Sequence, residues 1–182
     1  MNDLRNEAER VMREADCLHD HHVVERAFDD MAQRISSDMA GGDVVVVCVM
    51  NGGLVASGQL LPRLEFPLRV DYMHASRYRE RTHGDELHWK VEPTQDLAGK
   101  DVLIVDDILD EGYTLDAILR FCRQTRPASL RAAVLVQKLH DRGVRPPVDY
   151  VGLTVPDRYV FGYGMDYKGY WRNARGIYAV AG

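Results

Sequence analysis

The chain has 182 residues, of which 46% are hydrophobic and 28% charged, as is ordinary for a globular protein with one sizeable core. Its formal net charge of −5 argues against a general nucleic-acid-binding surface, and no apolar run approaches the ~20 residues of a membrane span. The first residues are charged and lack the apolar core of a signal peptide, so we expect a cytoplasmic location.

The first third of the chain predicts two helices, a buried strand and a third helix. Apolar residues recur at helical spacing over residues 3–16 and again over 22–39. Residues 44–50 form an almost purely apolar, β-branched run, which is typical of a central strand. Asn51-Gly52-Gly53 interrupts this run before a helix that we expect over about 54–64.

A second strand and a polar segment follow. Residues 68–76 alternate apolar and polar side chains, which indicates a strand. Residues 77–90 carry several Arg and His side chains together with Gly84 and show no core-forming period. We therefore predict a mobile loop over residues 77–90.

The most informative stretch, residues 102–114, is an apolar run that ends in paired carboxylates. Residues 102–105 indicate a strand buried on both faces of a parallel sheet, and helical spacing resumes at Leu115. The turn between them lies where ligands of open α/β sheets collect and where helix N–H groups favour a phosphate. Gly112 would let the backbone approach that phosphate, and Thr114 adds a hydroxyl.

The acidic pair Asp106 and Asp107 is the puzzling part of this stretch, because it would repel a phosphate. Vicinal sugar hydroxyls donate hydrogen bonds to carboxylates, and Mg²⁺ prefers oxygen ligands. A 5-phosphorylated ribose bound with Mg²⁺ would satisfy both halves of the pattern. The alternative is a strand whose terminal Asp residues only cap the next helix, and it stays open at this point.

Strands over residues 130–137 and 150–153 complete an alternation of strands and helices. This order predicts an α/β fold, with a parallel sheet, right-handed crossovers and helices on its faces. The tail, residues 156–181, is rich in Tyr and Gly and is expected to return over the edge of the sheet. We predict a single domain over residues 1–182.

Residues 102–114 resemble the phosphoribosyl-pyrophosphate (PRPP) signature of type I phosphoribosyltransferases. Four further segments occur in family order and narrow the resemblance to the hypoxanthine-guanine phosphoribosyltransferases, namely residues 49–53, 70–78, 135–138 and 155–167. The resemblance implies the parallel-sheet core of this family, with helices on both faces. It also implies a small hood over the purine, formed by about residues 1–20 and 156–182, and a homodimer or homotetramer.

The activity implied by the resemblance is Mg²⁺-dependent purine salvage. PRPP plus hypoxanthine or guanine would give IMP or GMP plus pyrophosphate. Asp106 and Asp107 would grip the ribose hydroxyls and, with Asp166, bind the metal. Residues 77–90 would close as a lid, because a cationic intermediate exposed to water would be hydrolysed.

The remaining site residues are carried over by their position in the family motifs. The implied PRPP site comprises Asn51, Gly52, Tyr78, Asp106, Asp107, Asp110, Glu111, Gly112, Tyr113, Thr114 and Arg172. The implied purine site comprises Lys138, which donates to the 6-oxo group, Tyr159, which stacks, Val160, whose backbone reads the base edge, and Asp166. Asp110 is expected to be the acid/base near the purine N7, although an Asp that only caps the next helix fits the same position.

Three positions depart from the familiar family pattern. Glu111 stands where many relatives carry Ser or Thr, so only its backbone N–H is transferred to the phosphate site. Asn51 replaces a more familiar Lys, although the Asn51-Gly52 peptide matches one that is often cis beneath pyrophosphate. Arg77 precedes Tyr78 where several relatives have Ser, and it would supply an extra cation.

Two alternatives remain open. A xanthine-guanine phosphoribosyltransferase would share the fold and most of the site. A regulator that senses PRPP would be expected to show a basic surface or an appended DNA-binding helix pair, and this acidic sequence shows neither.

Overall fold

The computed structural model describes residues 2–77 and 87–182. In chain order, the elements within these residues are α1 (Asn2–Glu14), β1 (Asp16–Asp20), α2 (His21–Met39), β2 (Val44–Met50), α3 (Gly53–Leu60), β3 (Leu68–Arg77), β4 (Leu87–Val91), β5 (Asp101–Leu109), α4 (Tyr113–Gln124), β6 (Ser129–Leu139), β7 (Tyr150–Pro156), β8 (Val160–Phe161) and β9 (Gly176–Ala179). A short 3₁₀ turn, Leu61–Arg63, follows α3.

Six strands form the main sheet in the order β4-β3-β2-β5-β6-β7. Every neighbouring pair is parallel except β3 and β4, which are antiparallel. The central strands are apolar along their length, because both of their faces are covered. The predicted α/β class with a largely parallel sheet is confirmed.

Helices pack on both faces of this sheet. On one face, α2 buries Phe28 and Met31, and α3 buries Ala56 and Leu60, against residues of β2, β5 and β6. On the other face, α4 buries Leu115 and Ile118 against the intervening strand residues. No helix within the described residues is both long enough and apolar enough to cross a membrane.

The two ends of the described chain meet in a second, three-stranded sheet of order β1-β9-β8. Helix α1 lies against it, with Ala8 and Val11 packed on Phe161 and Tyr167. The indole N–H of Trp171 donates to the Ala8 carbonyl oxygen at 2.7 Å. The amino-terminal segment is thereby fixed to the loops that follow β8.

The structure corrects two sequence predictions. The helix expected over residues 3–16 ends at Glu14, because Asp16–Asp20 pairs with β9 as an antiparallel strand. The loop expected over residues 77–90 is wrong at both ends: Arg77 ends β3, and residues 87–90 lie in β4. Trp89 of β4 packs on Phe121, with ring centroids 4.5 Å apart. Tyr78 and the rest of the predicted lid up to residue 86 lie outside the described residues.

Candidate active site

The site forms where the parallel strands β2, β5 and β6 end at one edge of the sheet. Strand β5 continues to Leu109, four residues beyond its apolar run, and Asp106 still pairs with Val134 of β6. The acidic pair therefore lies within the sheet and not in the turn. Residues 110–114, which we call the phosphate turn, then lead into α4.

The conformation of the phosphate turn depends on Gly112 and on a hydrogen bond from the loop after β6. Gly112 has a φ of +79° at the N-cap of α4, a conformation that costs other residues energy. A Cβ there would lie 2.2 Å from the Val144 carbonyl oxygen, and the Val144 N–H donates to the Glu111 carbonyl at 2.8 Å. The loop after β6 thus fixes the turn, which lines a first cavity of about 460 Å³.

Asp106 and Asp107 line the first cavity and are only 9% and 8% exposed. Burial, and next the charge of Asp107, raise the pKa of Asp106, while burial raises that of Asp107. The Asp107 N–H donates to Asp106 Oδ1 at 2.9 Å. Arg172 lines the same cavity and opposes these shifts electrostatically.

Backbone packs directly against this acidic pair. A Cβ on Gly52 would lie 2.2 Å from Asp107 Oδ2, so only glycine fits there without a shift of the carboxylate. The peptide expected to be cis, Asn51-Gly52, is not the one observed: the cis bond joins Met50 and Asn51, one bond earlier. Met50 and Gly52 line the first cavity on either side of Asn51.

A second cavity of about 380 Å³ adjoins the first and shares Asp107, Ile108 and Asp110 with it. Its other lining residues are Lys138, Tyr159, Val160, Met165 and Asp166, which include all four residues of the predicted purine site. Tyr159 is half-exposed at the rim, whereas Val160 is buried in β8. The two predicted sites are thus neighbours.

Asp166 and Arg172 form an ion pair at the edge of these cavities. Arg172 Nη2 lies 2.5 Å from Asp166 Oδ1, and the Gly169 N–H donates to Asp166 Oδ2 at 2.6 Å. Arg172 Nη1 also donates to the Gly164 carbonyl oxygen at 2.5 Å. Both side chains are therefore held in place by contacts within the protein.

Asp110 stands where the two cavities meet, and both of its carboxylate oxygens are engaged. Lys138 Nζ donates to Oδ2 at 2.7 Å, and His140 Nε2 lies 2.8 Å from Oδ1. Burial acts to raise the pKa of Asp110, but the bonds from Lys138 and His140 outweigh it and lower the pKa. The N-cap of α4 is Gly112, so Asp110 is not a simple helix cap.

Residues 14–168 match the family model described as the phosphoribosyl transferase domain. A hypoxanthine-guanine phosphoribosyltransferase of Streptococcus pneumoniae is 30% identical over 171 residues, which are 93% of this chain and 92% of the relative. The chain belongs to the phosphoribosyltransferase family. The resemblance to its hypoxanthine-guanine members is confirmed.

Solved structures of the family superpose closely on this phosphoribosyltransferase. A hypoxanthine phosphoribosyltransferase from Staphylococcus aureus gives a TM-score of 0.87 at 26% identity, covering 100% of this chain and 96% of that chain. The Trypanosoma cruzi enzyme in complex with its product IMP gives 0.85 at 28% identity, covering 92% and 95%. The transferase class predicted from the sequence is confirmed.

Sequence reasoning missed the loop after β6 that supports Asp110. His140 binds the Asp110 carboxylate, and Arg145 Nη1 donates to the Asp110 carbonyl oxygen at 2.6 Å. A signal for His140 was present, because it lies two residues after Lys138 and alternation places both on one face of a strand. Arg145 lies in an irregular loop, and no periodic pattern marks it.

The acidic pair of this phosphoribosyltransferase is suited to Mg²⁺. Asp106 and Asp107 offer buried oxygen ligands whose mutual repulsion a divalent cation would relieve. Elsewhere in the described residues, Asp110, His140 and Asp157 have ligand atoms within 4.8 Å of one another. The carboxylates of that group already pair with Lys138 and Arg142, so it needs no added cation.

Proposed function

We propose that this phosphoribosyltransferase transfers the 5-phosphoribosyl group from PRPP to hypoxanthine or guanine, giving IMP or GMP and pyrophosphate. The observation that carries the proposal is the pair of adjoining cavities with Asp107, Ile108 and Asp110 in both walls. One cavity has a phosphate turn, and the other has a lysine donor whose side chain is 11% exposed. A sugar phosphate in the first and a base in the second would meet beside Asp110.

The first cavity is suited to PRPP. The N-terminus of α4 and the Thr114 hydroxyl would bind the 5-phosphate, with Glu111 and Tyr113 contributing backbone N–H groups. Asp106 and Asp107 would accept hydrogen bonds from the ribose hydroxyls and offset the positive charge that develops on the ribose.

The leaving pyrophosphate would lie in the part of this cavity lined by Gly52 and Arg172. The backbone at Asn51 and Gly52 would support it, and Arg172 would donate to it. Asp106 and Asp107 would hold Mg²⁺, with Asp166 as a further ligand. When bound, the metal neutralises charge on the departing pyrophosphate. Tyr78 remains a predicted PRPP contact.

The second cavity is suited to a 6-oxopurine. Tyr159 would stack on the base, and the Val160 backbone would read its edge. As a ring nitrogen bonds to the anomeric carbon, the base must lose one proton. The ionised Asp110 would accept this proton from the purine N7. Before this proton transfer, as the base binds, Lys138 would turn from Asp110 toward the 6-oxo group, which adenine lacks.

We predict that Lys138→Ala raises the KM for hypoxanthine and guanine about tenfold to hundredfold, because a charged donor to the 6-oxo group is lost. The KM for PRPP should stay nearly the same. Lys100→Ala is a matched control, since Lys100 also pairs with an Asp but lies at the opposite edge of the sheet. Unchanged purine KM values in Lys138→Ala would remove Lys138 from the purine site.

A spectrophotometric assay with PRPP and each of hypoxanthine, guanine, xanthine and adenine tests the function. We expect turnover of hypoxanthine and guanine, poor use of adenine, and loss of activity in excess chelator. Xanthine as the preferred base would favour a xanthine-guanine enzyme. Tight PRPP binding without turnover of any base would favour a PRPP-sensing regulator, and equal rates with adenine would contradict the role of Lys138.

A further inference from the structure

His140 makes directional contacts through both ring nitrogens, although its side chain is only 5% exposed. Nε2 lies 2.8 Å from Asp110 Oδ1. Nδ1 lies 3.2 Å from the Arg142 backbone nitrogen and 2.8 Å from Arg145 Nη2. Both groups at Nδ1 can only donate, so Nδ1 must present its lone pair. The ring is therefore neutral and carries its proton on Nε2, directed at Asp110.

Arg145 joins this ring to the phosphate turn. Its Nη1 donates to the Asp110 carbonyl oxygen at 2.6 Å, and its Nη2 donates to the His140 carbonyl oxygen as well as to Nδ1. One guanidinium thus fixes the backbone of Asp110 and the orientation of the ring that binds its side chain. Such supporting contacts are what keep a reacting group in productive geometry.

Lys138 cannot hold Asp110 throughout the proposed reaction. Its ammonium group donates to Asp110 Oδ2, yet it would donate to the purine 6-oxo group once a base is bound. When it turns away, Oδ2 becomes free to face the base. Among the described residues, the bond from His140 to Oδ1 is then the remaining side-chain contact of Asp110.

We propose that His140 is a positioning residue, a neutral Nε2–H donor that holds Asp110 while Lys138 exchanges Asp110 for the purine. This inference rests on the proposed function, because it assigns His140 a task in that reaction. The same geometry argues against a proton relay through the ring, since Nδ1 already accepts from Arg145 and has no room for a second proton.

The charged groups that face this unit set the expected pH response. Those seen within the described residues are Lys138, Arg142, Arg145, Asp157 and Glu111, whose charge acts on Arg142. A hydrogen bond to an ionised carboxylate favours the ionised form, so removing the His140 donor should make Asp110 harder to ionise. The acid limb of the kcat–pH profile should therefore move to higher pH.

The kcat–pH profiles of the wild type, His140→Phe and His140→Gln test the inference. His140→Phe keeps a ring but has no donor, whereas the Gln amide can donate from nearly the position of Nε2. We expect His140→Phe to lower kcat about tenfold to hundredfold through misplacement of Asp110, with its acid limb displaced upward. His140→Gln should restore most of kcat and the wild-type limb.

Two outcomes would overturn the inference while the proposed function stands: a wild-type profile for His140→Phe, or equal impairment of both variants. Absence of turnover by the wild type would instead overturn the proposed function and the inference with it. If His140→Phe does not fold, imidazole ¹⁵N NMR of histidine-labelled wild type determines the protonation form of the His140 ring. The signal missing from the spectrum of His140→Gln identifies His140. A neutral Nε2–H ring supports the inference, and an Nδ1–H ring or an imidazolium overturns it.

Discussion

Asp110→Asn is expected to lower kcat by about 10²–10⁴-fold, the usual contribution of a positioned acid/base group. The carboxylate lies where the two cavities meet, and its lowered pKa keeps it ionised until a base binds, so that it arrives at the reaction able to accept a proton. An amide of the same size keeps the shape of the site but cannot take the proton. The KM for PRPP should change little, because the phosphate turn would bind the 5-phosphate through backbone N–H groups and the Thr114 hydroxyl, which the substitution leaves in place.

Asp116→Asn is the matched control for this variant. Asp116 belongs to the same stretch of chain, but its carboxylate pairs with Arg120 on α4 at 2.7 Å and does not line either cavity wall described above. Its kcat should remain near that of the wild type. Steady-state kinetics with hypoxanthine at saturating PRPP separates the two variants, and near-wild-type kcat in Asp110→Asn would refute the acid/base assignment.

The double variant Asp106→Asn with Asp107→Asn should lose about 10²–10⁴-fold in kcat/KM for PRPP, since two charged hydrogen-bond acceptors for the ribose are removed. Mg²⁺ binding should weaken as well, because amides are neutral ligands. Stability should respond in the opposite direction. Two buried carboxylates that repel each other are replaced by neutral groups, so the melting temperature without ligands should rise.

Activity and melting temperature of this double variant are best measured on the same preparation, with and without Mg²⁺. A rise in melting temperature with loss of PRPP use would show that the pair is retained for binding at a cost to the fold. A wild-type value of kcat/KM for PRPP in the double variant would contradict the proposed hydrogen bonds from the ribose hydroxyls to Asp106 and Asp107. Asp101→Asn, at the other end of β5, serves as a control for general effects on that strand.

The central strands were predictable because strands buried on both faces are continuous apolar runs in the sequence. The runs that became β2 and β5 are apolar on both faces, and the alternation after β2 indicated β3. Strands β1, β4 and β9 have only four or five residues. β1 and β9 pair with each other across most of the chain, and β4 pairs with β3, the strand before it. In β4, the alternation of Leu87, Trp89 and Val91 was hidden by the polar segment before it.

The candidate site likewise has one part that local sequence predicts and one part that only the fold assembles. The phosphate turn is contiguous in sequence, so its chemistry could be inferred from residues 102–114. The second cavity joins Lys138, Tyr159 and Asp166, which come from separate segments, and only the family resemblance grouped them before the fold was known. The support of Asp110 by Arg145 depends on how the loop after β6 folds back, which no local pattern specifies.

Phosphoribosyl transfer is tested most directly by incubating the protein with PRPP, Mg²⁺ and hypoxanthine and quantifying IMP and pyrophosphate together by chromatography. The proposed adjoining sugar and base sites predict that both products appear in equal amounts, and that neither appears with Asp110→Asn on the same timescale. Pyrophosphate released without IMP, or no consumption of hypoxanthine at any PRPP concentration, would contradict transfer at this site.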